Sequence, residues 1–291
     1  PVREFLMAKG VRTLDHVVLS HPHSDHYRGL KKIFENFTVR NFYDSRMENI
    51  DAIGDNNLRE LAAMQSSRVH FPEAGTYLNW DRNVSVKVLN NCSELDRTRD
   101  SSKINNCSIV LRFYYNGTGL LLTGDIEQGV DPVLVARGLP RVELLKVAHH
   151  GSRTATTSAF LDAVRPSTAI ISVGTGNPYG HPSPATIRRL EAHRARVWRT
   201  DRDGSVEVAF GPDEISVTPE HAPRPGTRAA SATRLLYHRL DASTRPDRSR
   251  RPPALPPPAR VVPPAFARRG RGRPASPRFR LLGRRCLRGG H

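Results

Sequence analysis

The apolar run Val17-Val18-Leu19-Ser20 passes without a spacer into His21-Pro22-His23-Ser24-Asp25-His26. A chain with that junction buries the first residues as a strand and leaves the following loop at the strand's tip, because imidazoles and carboxylates enter a core only when partnered. Three imidazoles and one carboxylate on one short loop are also four metal-ligating side chains, of a kind that suits zinc and also manganese or iron. His21 and His23, two apart, extend to one side of an extended segment, and Asp25 with His26 can then turn toward a second ion.

The rest of the body repeats the strand-then-loop pattern. β-rich runs are expected at residues 17–20, 39–43, 84–89, 109–114, 120–123, 144–148, 169–173, 197–199 and 206–210. Helical patterns lie near 27–36, 58–67, 126–137, 158–164 and 185–193, the last with Ser183 as N-cap and Pro184 as its first residue. Asn116-Gly117 between two apolar runs reads as a hairpin turn. Strands interleaved with helices predict a layered α/β body.

Three more segments present chemistry. Leu120-Leu-Leu-Thr-Gly-Asp125 delivers a carboxylate at a strand tip, although Gly-Asp is also an ordinary turn. Leu144-Leu-Lys-Val-Ala-His149-His150-Gly151 ends another strand in paired imidazoles. Asn177-Pro-Tyr-Gly-His181-Pro-Ser-Pro184 is a rigid turn with one imidazole ahead of a helix. Of 12 histidines, half fall in these clusters, and sheets with parallel strands place their sites at one set of strand ends.

Charge divides the chain. It carries 45 Lys+Arg against 28 Asp+Glu, a net +17, yet residues 222–291 alone hold 18 Arg, no Lys and only Asp241 and Asp247. A nearly neutral body at 1–221 is therefore followed by a basic Arg/Pro-rich tail at 222–291, expected to be disordered apart from a short helix near 230–240. Such a tail attracts nucleic-acid backbone in a salt-sensitive way, whereas the body offers no electrostatic argument of its own for that partner. No apolar run approaches the ~18 residues of a membrane-crossing helix, so a soluble chain is expected. Cys92, Cys107 and Cys286 are too few and scattered for a disulfide framework, which fits a reducing compartment.

The combination His21-x-His23-x-Asp25-His26, Thr123-Gly124-Asp125 and a strand-terminal His149 resembles the metallo-β-lactamase superfamily. Residues 122–127, 145–152, 177–184 and 199–204 narrow the likeness, over roughly residues 4–210, to the C-terminal hydrolase domain of ComEC-type competence proteins, which take DNA through bacterial membranes. The resemblance implies an αββα sandwich, here expected to lack its first strands, with two divalent ions, zinc foremost and manganese as the alternative. By the same resemblance His21 and His23 hold one ion, Asp25, His26 and His149 the other, and Asp125 bridges them. His150 is the alternative to His149, since adjacent strand residues face opposite ways. Asp25, His150 and His181 are the catalytic candidates, with His181 or the free member of the histidine pair steadying an oxygen or protonating a leaving group.

Superfamily members usually carry a further metal-binding His before the Gly-Asp strand, and residues 104–108 have none. Tyr27-Arg28-Gly29 stands where members usually read small-Gly-Gly. The implied activity is cleavage of DNA phosphodiesters by metal-activated water, with DNA as substrate and the family's membrane channel region as partner. The alternatives are a stand-alone hydrolase of small esters, lactones or phosphodiesters, and a non-catalytic fragment binding DNA through its tail.

Overall fold

The computed structural model describes residues 2–211, 215–221 and 278–281. The chain opens with α1 (Val2–Ala8), β1 (Thr13–Val18), α2 (Ser24–Asn36), β2 (Thr38–Tyr43), β3 (Met47–Asn49), α3 (Ile53–Met64) and β4 (Arg68–His70). Next come β5 (Tyr77–Leu78), β6 (Ser85–Asn90), β7 (Asp96–Thr98), α4 (Ser101–Asn106), β8 (Val110–Tyr115) and β9 (Thr118–Leu122). After them follow α5 (Asp131–Ala136), β10 (Leu144–Lys146), α6 (Ser158–Val164), β11 (Thr168–Ile171), α7 (Pro184–Ala192) and β12 (Arg196–Arg199). The described chain ends with α8 (Thr200–Asp203), β13 (Val206–Phe210), β14 (Ile215–Pro219) and β15 (Arg278–Leu281).

Two layers of sheet face each other. One is the seven-stranded sheet β12-β11-β10-β9-β8-β6-β5, and the other comprises the three-stranded sheets β1-β2-β4 and β14-β13-β15. The period of two sorts the strands cleanly. Leu120, Leu144, Ile170 and Trp198 lie on the face that meets β13, while Leu121, Leu145, Ala169 and Ile171 lie on the face packed by Phe160, Leu161 and Leu190 of the helices. On the opposite side Ile33, Phe34, Leu58 and Ala62 of α2 and α3 cover Val17, Val39 and Phe42. The order helix, sheet, sheet, helix is the αββα sandwich that the resemblance implies.

Every strand and helix expected within residues 1–211 is present, with ends moved by a few residues. Ser183 caps α7, its hydroxyl accepting from the Ala185 N–H at 3.3 Å. Asn116 and Gly117 both take positive φ (45° and 82°) between antiparallel β8 and β9, as a two-residue hairpin requires. The expected helix near 230–240 lies outside the described residues, and so does nearly all of the tail. Within it, the Arg-Phe-Arg-Leu of β15 pairs antiparallel with β13. Among the described residues no helix is long and apolar enough to cross a membrane.

The cysteines correct the sequence reading. Cys92 and Cys107 form a disulfide across a separation of 15 residues. The loop after β6 and the C-cap of α4 converge there, a meeting that sequence spacing alone does not reveal. The bond closes a loop whose last residue precedes Ser108, so it braces the wall of the site described below. Cys92→Ser should lower the unfolding free energy by about 3 kcal/mol, the loop-closure value for a ring of that size. Denaturant melts with and without reductant check this: the parent protein should shift to a lower midpoint on reduction, and the variant should not.

Candidate metal centre

β9, β10 and β11 run parallel, and β1 pairs in parallel with β2 across the sandwich. Their C-terminal ends bring the loops at 19–26, 123–125, 147–152 and 172–173 to one edge, where open α/β sheets place their sites.

His21 is fully buried at the base. Its Nδ1 lies 3.2 Å from both Ser20 Oγ and Ser108 Oγ, and its Nε2 has no hydrogen-bond partner and stands 4.0 Å from Asp125 Oδ2. Burial, and then the neighbouring His26, push the His21 imidazole well below its usual range. His23 serves as the N-cap position of α2 and directs Nε2 to Ser101 Oγ at 3.2 Å, its ring centroid 4.9 Å from that of His21. Burial also lowers its pKa. Asp25 and His26 occupy the first helical turn, about 100° apart around the axis, and both reach the same point above Asp125.

Asp125 closes the floor. Its backbone N–H donates to Ser108 Oγ at 3.0 Å, and Gly124 before it adopts φ +55° in contact with that serine. A Cβ on Gly124 would lie 2.5 Å from Ser108 Cβ, so only glycine fits this turn. Burial opposes ionisation of Asp125, but His26, Lys146 and His150 outweigh it and hold the carboxyl well below the usual range.

The paired histidines do not continue β10. After Lys146 the chain enters a tight turn in which His149, His150 and Gly151 all have positive φ (48°, 52° and 81°). Non-glycine residues there cost about 1–3 kcal/mol each, strain of the sort that gathers at working sites. The turn replaces the strand parity expected from sequence. His150 directs Nε2 to Asp25 Oδ2 (3.0 Å) and Asp125 Oδ2 (3.2 Å), while its Nδ1–H donates to the Ser172 carbonyl at 2.7 Å. His149 points elsewhere: Nδ1 is 3.1 Å from Glu127 Oε1, and its ring centroid lies 5.6 Å from that of His181. Thus the geometry sets His150, and not His149, beside Asp25, His26 and Asp125. His181 stands one ring further out, its loop pinned by Asn177, which accepts from the His181 N–H at 3.0 Å and donates to its carbonyl at 2.7 Å.

Among the described residues, Asp25, His26, Asp125 and His150 each offer one donor atom within 4.8 Å of all the others. Five of the six separations lie between 3.0 and 3.5 Å: His26 to Asp25, His26 to Asp125, His26 to His150, His150 to Asp25 and His150 to Asp125. Four ligands at ~2.1 Å from a tetrahedral ion are separated by about 3.4 Å. Two imidazoles, two carboxylates and these edge lengths fit a borderline divalent ion. The second nitrogens of the imidazoles, on Ser20 and on the Ser172 carbonyl, supply the outer hydrogen bonds that orient such ligands. Sequence reasoning passed over Ser20, Ser108, Ser172 and Lys146. Only Lys146 left a readable sign, being charged at an inward-facing strand position.

Residues 3–47, which contain the histidine loop, match the family model of the metallo-beta-lactamase superfamily. In fold, in site and in this match the chain resembles that superfamily. More narrowly, the chain is similar to ComE operon protein 3 of Bacillus subtilis (29% identical over 71% of this chain and 26% of that protein). It is similar as well to Competence protein ComA of Neisseria gonorrhoeae (31%, over 71% of this chain and 27% of that one). A third relative is Recombination protein 2 of Haemophilus influenzae (29%, over 73% and 24%). The chain spans about a quarter of the length of these relatives.

Proposed function

We propose that this chain is a metal-dependent hydrolase of the metallo-beta-lactamase type that cleaves phosphodiester bonds of DNA. The observation that carries the hydrolytic part is the set of four donors at tetrahedral spacing. A divalent ion held there, zinc or manganese, would polarise a substrate oxygen and bring the pKa of a water toward neutrality. The chain's own residues do the rest. Ser20 and the Ser172 carbonyl fix the rings of His26 and His150, and Ser108 fixes Asp125, so the donors need little reorganisation. His149 and His181 stand beside the cluster, where they can meet an oxygen that leaves or develops charge. Burial and the neighbouring His149 and His150 lower the His181 pKa, which keeps that ring neutral near pH 7.

The similarity to competence proteins supports DNA as substrate and a role beside a membrane channel. The +16 charge of residues 222–291 favours attraction to a nucleic-acid backbone. The resemblance also implies a second ion on His21 and His23. The orphaned His21 Nε2 suits one, while His23 turns toward Ser101.

Purified protein with Mn²⁺ or Zn²⁺ should cut single- or double-stranded DNA, and chelator should abolish the cutting. Metal-loaded protein that hydrolyses chromogenic esters but leaves DNA intact would overturn the substrate assignment in favour of a small-molecule enzyme. Metal-loaded protein inert toward all phosphodiesters and esters would remove the hydrolase reading itself.

A further inference from the structure

Tyr179 has no assigned role, yet it is the most exposed phenylalanine, tyrosine or tryptophan among the described residues, at 79%. A lone exposed ring is ordinary on a protein surface, but this one is anchored beside the metal donors. Asn177 ties its turn together, Nδ2 donating to the Gly174 carbonyl at 3.1 Å as well as to that of His181. Pro178 and Pro182 fix two more φ angles of the segment. The Ser183 N–H then donates to the Gly151 carbonyl at 2.9 Å, and a Cβ on Gly151 would lie 2.6 Å from Pro182 Cβ. Residues 174–183 are thus fastened against the left-handed turn that presents His150.

The rings between the two turns form a row. The His149 centroid lies 6.3 Å from that of His150, His181 follows at 5.6 Å, and Tyr179 at 6.0 Å from His181. Tyr179 stacks on His181 at an interplanar angle of 26°, so the imidazole backs one face of the phenol ring and the rest looks into solvent.

We propose that Tyr179 is a specificity-determining residue that stacks on an unpaired nucleobase flanking the phosphodiester at the metal cluster. The inference rests on the DNA-hydrolase reading and deepens it, since it makes a single strand the preferred substrate. The cluster's donors can engage a phosphodiester but no base, so selection of nucleic acid over other esters needs a contact elsewhere. An aromatic ring supplies one without regard to sequence, because every base has a π face. In a duplex those faces are covered by neighbouring pairs, and only a base out of the stack can meet the ring. The anchored turn and the imidazole behind it leave Tyr179 little freedom to lose on binding.

The test compares Mn²⁺-dependent cleavage of oligothymidylate with that of the same sugar-phosphate strand lacking its bases. The parent protein should show a KM about tenfold or more lower for the strand with bases, the effect of one stacked base. Tyr179→Ala should bring the two KM values together, and Tyr179→Trp should keep them apart. The indole added in Tyr179→Trp should lose emission with oligothymidylate and keep it with the base-free strand. Equal KM values in the parent, a preference that survives Tyr179→Ala, or a blunt duplex cut as readily as the single strand would overturn the role of Tyr179 and leave the hydrolase reading standing. A parent protein that cuts neither strand would overturn the DNA reading, and the role of Tyr179 with it.

Discussion

Asp125→Asn should reduce metal-dependent hydrolysis by about a thousandfold or more and should empty the centre of its ion. The substitution preserves volume and removes one negative charge at the point where the other groups converge. Asp125 is 2% exposed and faces His21, His26 and His150 with one oxygen and Lys146 with the other. Its carboxylate is the only anion in the cluster that is fully out of solvent, since Asp25 is half exposed. A thousandfold corresponds to about 4 kcal/mol of lost transition-state stabilisation, the scale on which a metal's polarising effect operates. The same change leaves Lys146 buried without an anion, so the metal-free variant should also unfold at lower denaturant. Metal analysis of the purified variant separates the two effects. A folded Asp125→Asn with its ion content unchanged would remove Asp125 from the centre.

The legible parts of this molecule were those written in side-chain pattern. Nine strands and five helices follow from apolar periodicity, and the loop at 21–26 announces itself because a core takes in such groups only when they are partnered. What stayed hidden depends on backbone. Whether His149 or His150 enters the cluster was argued from strand parity, but the chain leaves β10 at Lys146 and turns left-handed through both residues, so parity no longer applies. The Ser172 carbonyl that orients His150 has no side-chain signature at all. The disulfide was missed because Cys92 and Cys107 meet only through the packing of β3, β7 and α4, pieces too short for periodicity to register. Asn105 and Asn106 stood where a further histidine is usual. Asn105 donates to Glu127 Oε1 at 3.2 Å and Asn106 accepts from the Glu127 N–H at 2.9 Å, so the pair fixes the residue that His149 faces. Lys146, by contrast, was readable. With Leu144 buried on the inner face, position 146 had to point the same way.

His150→Gln should weaken metal binding by more than about a hundredfold, while His149→Gln should leave it within a few-fold, because only the first removes a donor from the cluster. The pH dependence supplies a second, independent signature. In the metal-free protein burial opposes the charge on His150, yet Asp125 and Asp25 outweigh it and raise the pKa from 6.5 to about 9. A raised folded-state pKa means the protonated ring stabilises the metal-free fold fully below about pH 6.5, and that contribution fades as pH climbs through about 9. The ion and the proton compete for the same Nε2, so binding one ion releases one proton below about pH 9. Apparent metal affinity should therefore rise about tenfold per unit between pH 7 and pH 9 and flatten above. Burial holds His21 and His23 below their ordinary values, and His150 and His26 hold the Asp25 carboxyl down against its burial, so these groups are already deprotonated across that interval and add no slope. The His149→Gln protein should keep the slope and the His150→Gln protein should lose it. Titrations in which the roles were reversed, with His149→Gln losing the ion and the slope, would show that the left-handed turn presents the other imidazole to the metal in solution.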